Sequence, residues 1–308
     1  MTVSRRALLA VGAGSAVGAL VAGCSFPGAQ DGSAPSASTP DDGQASVPKT
    51  GPTPSTPATP PPSTVPTDTA APLPQRAQIE ARYAGRLPTV WGLGVPGVVT
   101  RATGAGPAVA LTFDACGGRG GNGYDARLIE LLRSEQAKAT LFLNKRWVAA
   151  HPAEFHDLAA DPLFDIANHG TRHAPLSVSG RAAYGIAGTR SPAEAYTEVV
   201  ENALDLQHRL GRPVSLFRPG TAYYDDVAVR IVRDLAMTPV GFDVNADGGA
   251  TFAPRQVVSA LRGVRSGSVV IAHMNQPHHG TAAGFRAALP RLKAAGYGFV
   301  HLRDHLPS

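Results

Sequence analysis

Two histidines, His169 and His173, stand four residues apart at the end of a short apolar run. In a helical or tightly turned segment that separation brings both imidazoles to one side, where they can share a divalent cation; the bland alternative is a solvated pair on a surface. Three other polar positions close apolar runs in the same way: Asp114 in Thr112-Phe113-Asp114, Arg218 before Pro219-Gly220, and His273 after Ser268 to Ala272. A strand-end carboxylate is either a turn cap or a general base. Arg218 is either half of a surface ion pair or a fixed cation holding Asp114. His273 is either a satisfied core histidine or the acid that protonates a departing group. Where parallel strands carry a site, their carboxyl ends converge on one face, so residues far apart in the chain can meet over one substrate. Taken together, the clusters are the parts of a metal-assisted hydrolase.

The elements that must position these groups follow from the hydrophobic pattern. From Pro107 onward, short apolar runs alternate with longer helical patterns, the signature of βα units and a parallel sheet. Strands are predicted at 108–114, 139–144, 164–168, 214–218, 239–243, 268–273 and 298–302. Helices are predicted at 126–136, 192–210, 225–236, 255–264 and 283–295. The helix at 192–210 has the clearest ends, with Ser191 as cap, Pro192 at the first helical position, Glu194 placed for a capping box and Gly211 as terminator. About seven strands of this kind predict an α/β fold, a distorted (β/α) barrel, over residues 107–308. Residues 77–106 read as an extension packed outside it.

The first quarter of the 308-residue chain cannot join that core. Arg5 and Arg6 precede a Gly/Ala-rich apolar stretch from Ala7 to Ala22, which resembles a twin-arginine export signal and is too short to span a bilayer. Val21-Ala22-Gly23-Cys24 looks like a lipobox, so residues 1–24 are expected to be a lipoprotein signal with Cys24 lipidated. Residues 25–76 are expected to be a disordered linker: 13 of the 27 prolines fall in this stretch among Ser, Thr and Gly, and such a segment cannot bury enough apolar surface to offset its ordering entropy. The chain is therefore expected to be exported and held at a membrane by its N-terminal lipid, facing the cell envelope. With Cys24 used, Cys116 is alone and no intrachain disulfide forms. The net charge of +5 is scattered, without the basic, aromatic-interleaved block of a nucleic-acid binder.

Leu111-Thr112-Phe113-Asp114, Lys138 through Phe142, Asn168-His169 through His173, Phe217-Arg218-Pro219, Gly267 through His273 and Ala294 through Val300, in this order, resemble the polysaccharide deacetylase family, the NodB-homology domain of carbohydrate esterase family 4. The resemblance implies a distorted (β/α) barrel that removes N-acetyl, sometimes O-acetyl, groups from carbohydrate polymers with a divalent metal, zinc first and cobalt or another ion as alternatives. It implies Asp114 as catalytic base, His169 and His173 as metal ligands, Arg218 as the residue that orients the base and His273 as catalytic acid. Asp247 is the best match for the Asp supporting that acid, with Asp243 as runner-up. Ile271 would line the slot for the acetyl methyl, and the backbone N–H of Thr221 would help hold the oxyanion. Tyr223 would form part of a substrate wall.

Three departures stand out. The family's second aspartate, a metal ligand, is here Ala115. Its place is open to extra water, Asp114, Asp125, Asp165 or Cys116, although Cys116 should point away from Ala115 in a strand and is expected to be a structural thiol. The residues after Arg218 are Pro219-Gly220-Thr221-Ala222 instead of Pro-Pro-aromatic-Gly, and Gly248 stands where a Trp is usual. The expected function is a monomeric, metal-dependent deacetylase of an acetylated envelope or extracellular glycan. The alternatives are a non-catalytic glycan-binding lipoprotein with a degenerate metal site and a hydrolase of a small non-sugar amide.

Overall fold

The computed structural model describes residues 73–104 and 106–307, so Cys24, the export signal and the linker as far as residue 72 lie outside it. In chain order the elements are α1 (Arg76–Tyr83), β1 (Trp91–Gly92), β2 (Ala108–Ala115), α2 (Ala126–Ser134), β3 (Ala139–Leu143), α3 (Lys145–Ala150), α4 (Pro152–Ala160) and β4 (Phe164–Asn168). The second half holds α5 (Pro192–Leu210), β5 (Leu216–Phe217), β6 (Tyr224–Asp225), α6 (Asp226–Asp234), β7 (Thr238–Pro239), β8 (Val244–Asn245), α7 (Pro254–Leu261), β9 (Val269–His273), α8 (Thr281–Ala294) and β10 (Gly298–Phe299). No described helix is long and apolar enough to cross a membrane.

Seven strands run in the order β7-β5-β4-β3-β2-β9-β8, every pair parallel, and β10 joins the first residues of β2. The result is a seven-strand parallel half-barrel. The interior strand β2 is buried along its whole length, as a parallel strand covered on both faces must be. Alternation divides that strand between two environments. Val109, Leu111, Phe113 and Ala115 pack into the larger apolar cluster with Leu128 of α2 and Phe285 of α8. Ala110 belongs to a smaller cluster with Phe142, Ala167, Leu216 and Val240. Thr112 and Asp114 continue that second face toward the carboxyl end, which is how a strand so apolar delivers a carboxylate into the half-barrel mouth.

The strands predicted at 214–218, 239–243 and 298–302 shorten to two residues each, for a visible reason in one case. Val240 N–H still donates to Phe217 C=O, but Gly241 N–H donates to Val99 and Asp243 N–H to Val269, so the chain changes partner between β7 and β8. The helix predicted at 192–210 is present with those bounds; Ser191 Oγ accepts from Glu194 N–H, and Gly211 closes it at φ 68°. Two short helices escaped the periodicity reading: α3, capped by Asn144, and α4, opened by Pro152. The first has too few turns to show a period, and the second buries only Phe155 and Leu158, too few for an apolar stripe.

Candidate active site

A pocket of about 770 Å³ opens over the carboxyl ends of these strands, and Asp114, Cys116, His173, Thr221, Ile271 and His273 are among the residues that line it. Asp114, the penultimate residue of β2, is buried beside an equally buried Arg218. The guanidinium Nη1 donates to Asp114 Oδ1 at 2.8 Å and to Thr112 Oγ1 at 2.9 Å, Nη2 donates to Gly241 C=O at 2.7 Å, and Cζ lies 4.2 Å from the Phe142 ring centroid. Burial works to raise the Asp114 pKa, but Arg218 and then His169 and His273 outweigh it and hold the carboxyl below the usual range. Asp114 is therefore an ionised base fixed in one orientation.

Cys116, His169 and His173 present donor atoms that all lie within 4.8 Å of one another. His169 follows β4 and donates from Nδ1 to the Arg218 carbonyl at 2.8 Å, which leaves Nε2 as the nitrogen open to another partner. That nitrogen faces Cys116 Sγ at 3.9 Å and Asp114 Oδ2 at 3.6 Å. The His173 ring meets the His169 ring edge-on, centroids 4.9 Å apart. Burial pushes the Cys116 thiol up, but His173 and the other imidazoles around it outweigh that and hold it well below the usual thiol range. Two imidazoles beside two groups that carry negative charge are a donor set suited to a divalent cation, and the residues present fit one. The expectation of a structural thiol at Cys116 is corrected: residues two apart share a face, so Cys116 follows Asp114 into the pocket while Ala115 packs into the larger apolar cluster.

The segment between the two histidines is a tight turn built around groups that the sequence reading overlooked. Glu198, wholly buried on α5, accepts from the N–H groups of Thr171 at 3.1 Å, Arg172 at 3.0 Å and Ala174 at 3.1 Å. Gly170 sits at φ 76°, and a Cβ there would collide with Glu198 Oε1. Asn144 Nδ2 donates to the carbonyls of His169 and Gly170, and Asn168 Oδ1 accepts from Gly170 N–H. His173 leaves the turn at φ 64° against Gly220, where an added methyl would strike the His173 carbonyl. One signal for Glu198 was available: it falls on the buried stripe of α5 with Ala195, Val199, Asn202 and Leu206, where a charge needs partners.

Across the pocket, His273 ends β9. Its Nδ1 pairs with Asp247 Oδ1 at 3.0 Å, while Asp247 Oδ2 accepts from His273 N–H at 2.7 Å and Thr281 Oγ1 at 3.0 Å. Burial opposes the charged imidazole, but Asp247 more than offsets it and holds the His273 pKa well above the ordinary value. Asp243, the runner-up, is engaged instead with Arg101, Ser268 Oγ and Val269 N–H. Of the other candidates for the missing ligand, Asp125 caps α2 and Asp165 pairs with Arg212 and Arg303, both outside the cation group.

Thr221 and Ile271 line the pocket as expected of substrate contacts. Thr221 sits at φ 71°, and its buried hydroxyl has no hydrogen-bond partner among the described residues. Tyr223 is absent from the lining; its ring lies 5.6 Å from Trp91 and 5.4 Å from Tyr184, and it is Tyr184, 73% exposed, that faces the pocket.

The polysaccharide deacetylase family model matches residues 101–240. Among curated proteins, the chain is 23% identical over 180 residues to the uncharacterized protein YlxY of Bacillus subtilis (strain 168), covering 58% of this chain and 51% of that one, so it spans about half the length of that relative. A carbohydrate esterase family 4 pseudoenzyme from Bacillus anthracis superposes with a TM-score of 0.57 at 23% identity, covering 69% of each chain, and a mutant of it is described as having restored enzymatic activity. A peptidoglycan N-acetylglucosamine deacetylase, crystallised with a benzamide ligand, superposes with a TM-score of 0.57 at 18% identity, covering 67% of this chain and 92% of that one. The matched segment is similar to the polysaccharide deacetylase family, and the half-barrel has the fold of the carbohydrate esterase family 4 structures.

Proposed function

We propose that this protein is a metal-dependent hydrolase that removes N-acetyl, or O-acetyl, groups from an acetylated envelope or extracellular glycan. One observation carries the reading: a base held by Arg218 and an acid held by Asp247 face the same pocket as Cys116 and His173, with His169 buried beside these two. A divalent cation held by His169 and His173, zinc by donor type, would supply Lewis-acid activation of water and of the acetyl carbonyl. Asp114, kept ionised by Arg218, takes the proton of the attacking water. The backbone N–H of Thr221 is the protein's donor toward the developing oxyanion, and Ile271 packs against the acetyl methyl. His273, kept protonated by Asp247, delivers its proton to the departing amine. Arg5, Arg6 and Cys24 support an exported protein anchored by lipid, with the 25–76 stretch as tether.

A second reading, a glycan-binding protein without turnover, is favoured by Ala115 and by the likeness to a pseudoenzyme. Acetate release from N-acetylglucosamine oligomers and from peptidoglycan, with zinc or cobalt added, separates the two. Release that disappears in Asp114→Asn supports the hydrolase. Retained glycan binding with no release under either metal overturns it in favour of the second reading.

A further inference from the structure

We propose that Cys116 Sγ is the third protein ligand of the cation, so that this domain holds its metal through one sulfur and two imidazole nitrogens, with zinc-class ions as its occupants. The inference rests on the metal-dependent reading and specifies its ligands. Position 115 offers a methyl group packed into the apolar cluster, and Asp125 and Asp165 are engaged elsewhere. Position 116 compensates because it directly follows β2, and its thiol lines the same pocket as Asp114 and His173. A tetrahedral ion with Zn–S near 2.3 Å and Zn–N near 2.05 Å requires a sulfur-to-nitrogen separation of about 3.6 Å. Cys116 Sγ and His169 Nε2 stand 3.9 Å apart, a few tenths of an ångström from that requirement. The orientation is prearranged as well, since His169 Nδ1 is committed to the Arg218 carbonyl and Nε2 is the atom turned to the sulfur. Cys116 is only partly buried and borders the pocket, which leaves the outer side of the cation open to solvent and substrate, the arrangement of a catalytic rather than a structural zinc site.

Exchanging a carboxylate for a thiolate conserves the ligand charge of −1 but changes its softness. Sulfur with imidazole favours zinc and cobalt, whereas magnesium, calcium and manganese favour oxygen. The domain should therefore ignore hard ions that a carboxylate-bearing site tolerates.

The test is cobalt(II) titration of the metal-stripped full-length protein, read by absorption. The expected result is one bound cobalt with a sulfur-to-cobalt charge-transfer band in the near ultraviolet, unaffected by a hundredfold excess of magnesium. Cys116→Ala should lose the band and bind zinc at least about tenfold more weakly. Cys116→Asp should regain affinity without the band, and circular dichroism melts of both variants check that the fold is intact. Cobalt bound with its d–d bands but without charge transfer, or a Cys116→Ala protein of unchanged zinc affinity, overturns the sulfur ligand and leaves the metal-dependent reading standing. Failure of the wild-type protein to bind cobalt or zinc at all overturns both.

Discussion

Glu198→Ala removes the carboxylate around which the His169–His173 turn is wrapped. Three backbone N–H groups donate to it, but Thr171 N–H also reaches the Glu198 carbonyl, so two donors, those of Arg172 and Ala174, lose their acceptor. Leaving a buried donor unsatisfied costs about 1–3 kcal/mol. Water can reach the N–H of exposed Arg172 more easily than that of buried Ala174, and removing Glu198 also relieves the desolvation that pushes its pKa up. The net loss should be about 2–4 kcal/mol, with roughly half of that for Glu198→Gln, whose amide can satisfy one donor and must confront the other. A domain of this size is stable by about 5–15 kcal/mol, so both variants should remain folded. The turn will nevertheless hold the two imidazoles less firmly, and zinc affinity should fall by about 10–100-fold, as it does when groups that orient metal ligands are lost. Urea melts of the metal-stripped proteins measure the first effect, and competition titrations with a zinc indicator measure the second. An alanine variant that is destabilised yet binds zinc like the wild type would refute the idea that Glu198 sets the ligand geometry. One of unchanged stability would show that the three hydrogen bonds contribute nothing net.

Asp247→Asn removes the charge that keeps His273 protonated. The His273 imidazolium stabilises the fold fully below the ordinary imidazole pKa of about 6.5 and ceases to do so as pH rises through its raised folded value, so the alkaline limbs of both stability and acetate release should move to lower pH in the variant. An unmoved limb would exclude the pair as its origin. Arg218→Met strands a buried carboxylate and should cost about 3–5 kcal/mol in denaturant melts. In the wild type, Asp114 contributes stability above the ordinary carboxylate pKa that is lost as pH falls through its lowered folded value; with Arg218 gone, only His169 and His273 oppose burial, the Asp114 pKa rises and the acid limb of activity should shift upward. Gly220→Ala should weaken zinc binding without touching any donor atom, because the added methyl displaces the His173 carbonyl; a normal zinc titration would refute that. Cys24→Ala should abolish incorporation of labelled fatty acid and move the protein from the membrane fraction to the soluble one.

Much of this protein was legible in its residues alone. The half-barrel followed from apolar runs alternating with helical periods, and α5 announced both its ends through Ser191, Pro192 and Gly211. The positions that meet at the site could be marked because Asp114, His169, Arg218 and His273 are polar residues at the ends of apolar runs, where period-two patterning leaves them no apolar role, and because His173 follows His169 by four. What the chain could not reveal in one dimension was which partner each group would find. Whether Asp247 or Asp243 stands behind His273 depends on the switch of hydrogen-bond partners between β7 and β8, which sends Asp243 to Arg101 and Asp247 to His273. The roles of Cys116 and Glu198 were hidden for the same reason. A lone thiol becomes a ligand candidate only when a strand face points it at two imidazoles, and a buried carboxylate becomes an organising centre only when a distant turn brings its N–H groups to it. Local spacing determines which side of an element a residue occupies; only packing determines what faces that side.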